Sequence, residues 1–130
     1  MSDAQTTRRI LLVDQSRDER EMYAEWLRRQ GYCTLQAETA SDAYRLASEL
    51  RPHVVVTCVR LRGEENGLEL TRRIKDDEAM RQLRVVILSG YVFRGSSEQA
   101  AAAGCDLFVP KPCPPAALGS AIDGLLRRAS

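Results

Sequence analysis

One stretch limits the fold more than any other: His53-Val54-Val55-Val56-Thr57-Cys58-Val59-Arg60-Leu61-Arg62-Gly63-Glu64-Glu65-Asn66-Gly67. It starts as a run of β-branched apolar residues, breaks at Thr57-Cys58, turns polar and ends in the turn dipeptide Asn66-Gly67. A short run that is apolar throughout, without polar alternation, reads as a strand buried on both faces, as in a parallel sheet. Such a strand needs helices above and below it, and the chain has helical patterns on both sides of this run.

In chain order, residues 1–8 read as a flexible lead-in and residues 9–130 as one domain. Ile10-Leu11-Leu12-Val13 is the first strand, closed by Asp14-Gln15-Ser16. Ser16 or Asp18 caps a helix over about 17–30, with Met22, Trp26 and Leu27 expected on its apolar face and Gly31 beyond its end. Cys33 to Ala37 is a weaker second strand. Ser41 or Asp42 opens a second helix, with Ala43, Leu46, Ala47 and Leu50 at helical spacing, and Arg51-Pro52 stops it. After the third strand, a third helix runs from Leu68 to about Asp77. Val85 to Leu88 is strand four, Ser96 to Ala103 helix four, and Leu107 to Val109 strand five. The last helix turns Leu118, Ile122, Leu125 and Leu126 inward. Five strands alternating with five helices predict an α/β domain with a parallel sheet covered on both faces.

With 130 residues, 19 basic and 18 acidic, the chain has no charge excess to suggest nucleic acid as a partner. No apolar run approaches the roughly 18 residues of a membrane span. The polar start lacks the apolar segment of a signal peptide, so a cytoplasmic location is expected. Four cysteines without CxxC spacing read as free thiols in a reducing compartment.

The ends of the apolar runs carry the chemistry. Asp14 follows strand one, Cys58 ends strand three, Ser89 follows strand four and Lys111 follows strand five. In a parallel sheet these ends share one edge, where open α/β sheets bind their ligands. A carboxylate, a hydroxyl and an ammonium gathered there suit a phosphoryl group or a metal-phosphate. Equally, Asp14 and Lys111 suit a plain structural ion pair.

Several pieces together carry a family resemblance: Ile10-Leu11-Leu12-Val13-Asp14, Gly67-Leu68-Glu69-Leu70, Val86-Ile87-Leu88-Ser89-Gly90, and Ala103-Gly104-Cys105-Asp106 running to Lys111-Pro112. From about Arg9 to Arg128 the chain resembles the receiver (CheY-like) domain of two-component response regulators. The resemblance implies a flavodoxin-like (βα)5 doubly wound domain with strand order 2-1-3-4-5. In that family an aspartate ending strand three accepts a phosphoryl group from a histidine kinase, and an acidic pair after strand one holds magnesium. A hydroxyl after strand four and a lysine after strand five contact the phosphoryl oxygens. An aromatic residue on strand five changes rotamer. Residue by residue, this implies roles for Asp14, Ser89, Lys111 and Phe108.

Two positions depart from the pattern: Gln15 stands where the second acid is usual, and Cys58 stands at the phosphoacceptor position. The loop after strand three also differs, one residue longer and with Asn66-Gly67 in place of Asp-Gly. Arg60 falls where a backbone carbonyl usually helps bind metal. Magnesium prefers hard oxygen ligands, and this set offers one carboxylate, a neutral amide and a soft sulfur. At an effective dielectric of about 20, a cation about 4 Å from a dication repels it by several kcal/mol. No cofactor is therefore expected, and magnesium binding should be lost or weak, unless Glu64 or Glu65 folds back as a substitute.

The leading expectation is an atypical receiver, not an enzyme, that acts as a phosphorylation-independent interaction module. Its partner would be a signalling protein, a histidine kinase or an effector, met through helix four, strand five and helix five, with a homodimer as a further arrangement. Tyr91, with Phe93 and Arg94 beside it, resembles the family's output region and is an expected interface anchor. Two alternatives stand beside it. One is a redox switch, if Lys111 lowers the pKa of the Cys58 thiol; the other is a conventional phosphorelay receiver. His53 reads as an ordinary strand-start residue, against a proton-shuttle or phosphoryl-relay role.

Overall fold

The computed structural model describes residues 7–90 and 94–128. The run that dominates the sequence forms strand β3 (Val54–Thr57), buried along its whole length. Strands β1 (Arg9–Val13) and β4 (Arg84–Ser89) flank it in parallel. Outside them lie β2 (Cys33–Ala37) and β5 (Leu107–Pro110), giving the all-parallel order β2-β1-β3-β4-β5. The helices alternate with the strands: α1 (Arg17–Arg29), α2 (Ala40–Leu50), α3 (Gly67–Asp76), α4 (Ser96–Ala103) and α5 (Pro115–Arg128). This is the flavodoxin-like doubly wound arrangement.

Because strand side chains alternate between faces, the apolar runs feed two cores. Leu11, Val13, Val55, Val85 and Ile87 face one way and pack with Ala43 and Ala47 of α2, Leu70 and Ile74 of α3 and Ala100 of α4. Ile10, Leu12, Val54, Val56, Val86 and Leu88 face the other way and meet Tyr23, Ala24 and Leu27 of α1 and the inward leucines and isoleucine of α5. The inward set expected for the last helix, Leu118, Ile122, Leu125 and Leu126, is buried.

Three local expectations are corrected. On α1 the buried positions are Tyr23, Ala24 and Leu27, whereas Met22 is 45% exposed. The helix starts at Arg17, and steps of about 100° per residue carry Met22 past the sheet. Trp26 is half-buried, its ring lying 2.3 Å from where a Cβ on Gly119 would be. Second, α2 is capped by Thr39, whose hydroxyl accepts from the Asp42 amide at 3.0 Å. The helix thus begins ahead of Ser41 and Asp42. Its Leu50 is 44% exposed, so Ala43 and Ala47 carry the contact. Third, Asn66 caps α3. Its side chain accepts from Glu69 N at 2.9 Å while Glu69 accepts from Asn66 N at 2.8 Å, a full capping box.

Gly67 fixes how α3 meets the sheet. A Cβ there would lie 1.9 Å from the Cys58 carbonyl oxygen, so only glycine lets the helix start against the end of β3. His53 donates nothing to this edge. Its Nδ1 accepts from Arg9 N at 3.0 Å, which ties the start of β3 to the start of β1.

Candidate functional site

The four strand-end residues converge as the parallel sheet requires. Asp14 directly follows β1, Cys58 follows β3, Ser89 ends β4 and Lys111 follows β5. Register holds them together: Cys58 N donates to Val13 O at 3.0 Å, and Lys111 N donates to Ser89 O at 2.8 Å. They line an open cleft of about 280 Å³ together with Gln15 and Arg60, both exposed.

Asp14 is the hub. Its Oδ1 accepts from Ser16 N at 2.8 Å, and its Oδ2 accepts from the Cys58 thiol at 3.1 Å. The Lys111 ammonium lies 3.4 Å from the same Oδ2 and 3.6 Å from Cys58 Sγ. Its tightest partner is Glu19 of α1, which accepts a hydrogen bond from Nζ. The Asp14–Lys111 pair read from the sequence is therefore present, as part of a wider network that also holds Cys58 and Glu19.

Sequence reading missed Glu19. The signal was the spacing Ser16-Arg17-Asp18-Glu19, a capping-box pattern that puts Glu19 in the first turn of α1. Half of that box forms, with Glu19 N donating to Ser16 Oγ at 3.3 Å. The other half does not, because Asp14 takes the Ser16 amide. Glu19 is left to reach across to Lys111.

The electrostatics follow from this packing. Burial, then the charge of Asp14 and the hydrogen bond to it, push the Cys58 thiol up to about 12, against the opposing pull of Lys111. Cys58 is thus a protonated donor at neutral pH, and the lowered thiol pKa considered from sequence is not what this pocket produces. For Lys111, burial pulls the pKa down, but the Glu19 hydrogen bond and the negative neighbours outweigh it and the net shift is upward.

The donor set does not fit magnesium. Asp14 is the one carboxylate at the expected place, it is engaged by a thiol, and an ammonium lies 3.4 Å from its outer oxygen. The substitute acids do not fold back: Glu65 bonds Arg73 at 2.6 Å, and Glu64 is exposed beside the start of α2. Among the described residues, no group of three or more His, Cys, Asp or Glu is placed to hold a metal ion.

Phe108 is half-buried on β5, paired with Ile87 in register and packed on the core side that holds α2, α3 and α4. Tyr91 and Phe93 lie outside the described residues. The remaining cysteines are free thiols, Cys33 exposed and Cys105 and Cys113 half-buried.

Comparison with known proteins places the chain. The model of the response regulator receiver domain matches residues 10–123. The chain belongs to that family. Among relatives, it is 26% identical over 106 residues to the polar-differentiation response regulator DivK of Brucella ovis, covering 82% of this chain and 85% of that protein. A solved two-component response regulator of the LuxR family from Aurantimonas sp. SI85-9A1 is 34% identical with a TM-score of 0.84, over 94% of this chain and 86% of the other. The signal receiver domain of a signal transduction histidine kinase from Syntrophus aciditrophicus is 27% identical with a TM-score of 0.86, over 93% and 91%. The chain is therefore a receiver domain of two-component signalling. No helix among its described residues is long and apolar enough to cross a membrane.

Proposed function

We propose that this receiver is a protein-interaction module that works without phosphorylation, performs no catalytic step and binds no magnesium. One observation carries the reading: at the acceptor position a protonated Cys58 thiol donates to Asp14, in a pocket whose lysine is already held by Glu19 and Asp14. Phosphoryl transfer relies on positioning and on charge stabilisation by metal and cations, and here the metal ligands are missing and the cation is engaged. A thiol switch is disfavoured by the same packing, since the thiolate is the reactive form.

The reading surface is α4, β5 and α5, and the partner is a histidine kinase or an effector of the same signalling class. A receiver switches when a ligand binds one of two conformations more tightly. With no ligand formed at Cys58, one conformation dominates, and Phe108 stays in one rotamer beside Ile87. The test is the amide NMR spectrum of residues 89–111 with beryllofluoride and magnesium. The unmodified protein should show no change, and Cys58→Asp alone should show none either, because Gln15 still lacks its charge. Shifts across β5 in the unmodified protein would overturn the proposal.

A further inference from the structure

The α1 carboxylate that reaches Lys111 has no counterpart in the pocket expected from the resemblance. We propose that Glu19 is a built-in counter-ion that occupies Lys111 in place of an incoming anion, so that the pocket is closed at two points: Cys58 and Glu19. Glu19 is a positioning residue acting through Lys111. The inference rests on the reading that Cys58 and Gln15 disable the acceptor site, and it adds that repairing them leaves the pocket partly blocked.

Three observations support it. Lys111 Nζ bonds Glu19 more closely than it approaches Asp14, which is 3.4 Å away. Glu19 is free to do this because Asp14 Oδ1 takes the Ser16 amide that a first-turn glutamate would otherwise accept. The pair is shielded on the lysine side, where the Lys111 side chain is 18% exposed, and open to solvent on the Glu19 side, which is 45% exposed, so it is firmer than a fully solvated surface pair and still weakens with salt. An anion entering the cleft must displace Glu19 from the one ammonium placed at the ends of β1, β3 and β4. The contact also ties α1 to the segment between β5 and α5, beside the Tyr23 hydroxyl of the same helix, which donates to Cys113 O at 2.7 Å.

The experiment uses beryllofluoride with magnesium as the probe and the amide spectrum as the readout, in four proteins. The first is the unmodified chain. The second carries Cys58→Asp and Gln15→Asp. The third adds Glu19→Gln to the second, and the fourth adds Asp18→Asn instead. Glu19→Gln keeps side-chain length and the Glu19 N to Ser16 Oγ bond. Asp18→Asn removes the same charge from the same helix turn, where Asp18 is exposed. A general effect of charge at the helix N-terminus would move both variants alike.

The third protein should bind beryllofluoride about tenfold more tightly than the second, equivalent to about 1.4 kcal/mol, and the fourth should match the second. Equal affinity in the second and third proteins, or an equal gain in the fourth, overturns the role of Glu19. A response in the unmodified chain overturns the underlying reading of Cys58 and Gln15 instead, so the two failures are separate.

Discussion

At the scale of single residues, Cys58 decides what the cleft can do. Its thiol is pushed up to about 12 by burial and by Asp14, so the thiolate is scarce at neutral pH. Alkylation by iodoacetamide at pH 7.5 should therefore modify exposed Cys33 first and Cys58 last, read by peptide mass mapping. Rapid labelling of Cys58 in the folded protein would reinstate the redox alternative. The strand-end set of Asp14, Cys58, Ser89 and Lys111 was legible because each residue closes an apolar run, and parallel strands bring such ends together. Glu19 was not legible as a site residue. Its partner lies 92 positions away, and a charged residue on a first helical turn looks like any solvated one. The failure of Glu64 and Glu65 to replace the missing acid was equally hidden, because it depends on Arg73 drawing Glu65 away from the cleft.

At the scale of elements, the apolar periods fixed which segments became strands and helices, and caps decided where the helices began. Thr39 and Asn66 show why those starts were misplaced. Several hydroxyl, amide and acid residues cluster before each helix, and the one that caps is the one whose own backbone is still extended, as Thr39 and Asn66 both are. Asn66-Gly67 looked like a free turn, yet its glycine is set by the close approach of α3 to the end of β3. Gly67→Ala should destabilise the domain by about 3 kcal/mol, the upper part of the usual range for overpacking, because the new methyl meets backbone that cannot move aside. Its Cβ would lie 1.9 Å from Cys58 O and 3.0 Å from Thr57 Oγ1. Urea unfolding measures this, and a loss under 1 kcal/mol would mean that α3 can slide on the sheet. Gly124→Ala, with nothing within 4 Å of the added atom, is the matched control on α5.

At the scale of the whole molecule, stability should respond to protons at one place and ignore magnesium at another. His53 accepts a backbone hydrogen bond at 3.0 Å through a nitrogen that protonation would block. Burial, then Arg9 and Arg8, lower its pKa below the ordinary 6.5. A group whose folded pKa is depressed contributes stability above its unfolded value and loses it as pH falls towards the folded one. The melting temperature should accordingly drop as pH goes from 7 to 5, and His53→Gln should flatten that slope. Asp77, held below the ordinary 3.8 chiefly by the Tyr44 hydroxyl, acts only in more acidic solution and leaves this window clear. Magnesium is the opposite case. A site filled a hundredfold above its dissociation constant adds about 2.7 kcal/mol, which for a domain of this size raises the melting temperature by on the order of 10 °C. Asp14 is engaged by Cys58 and Lys111, and Gln15 is uncharged, so the proposed function predicts no gain from the metal. Melting curves in millimolar magnesium and in chelator should coincide. In the protein carrying Cys58→Asp and Gln15→Asp they should separate, because three carboxylates then crowd one edge and the dication relieves their repulsion. Coincident curves in both proteins would place the block at Lys111 and Glu19, and an upward shift in the unmodified protein would show that the pocket still takes the metal.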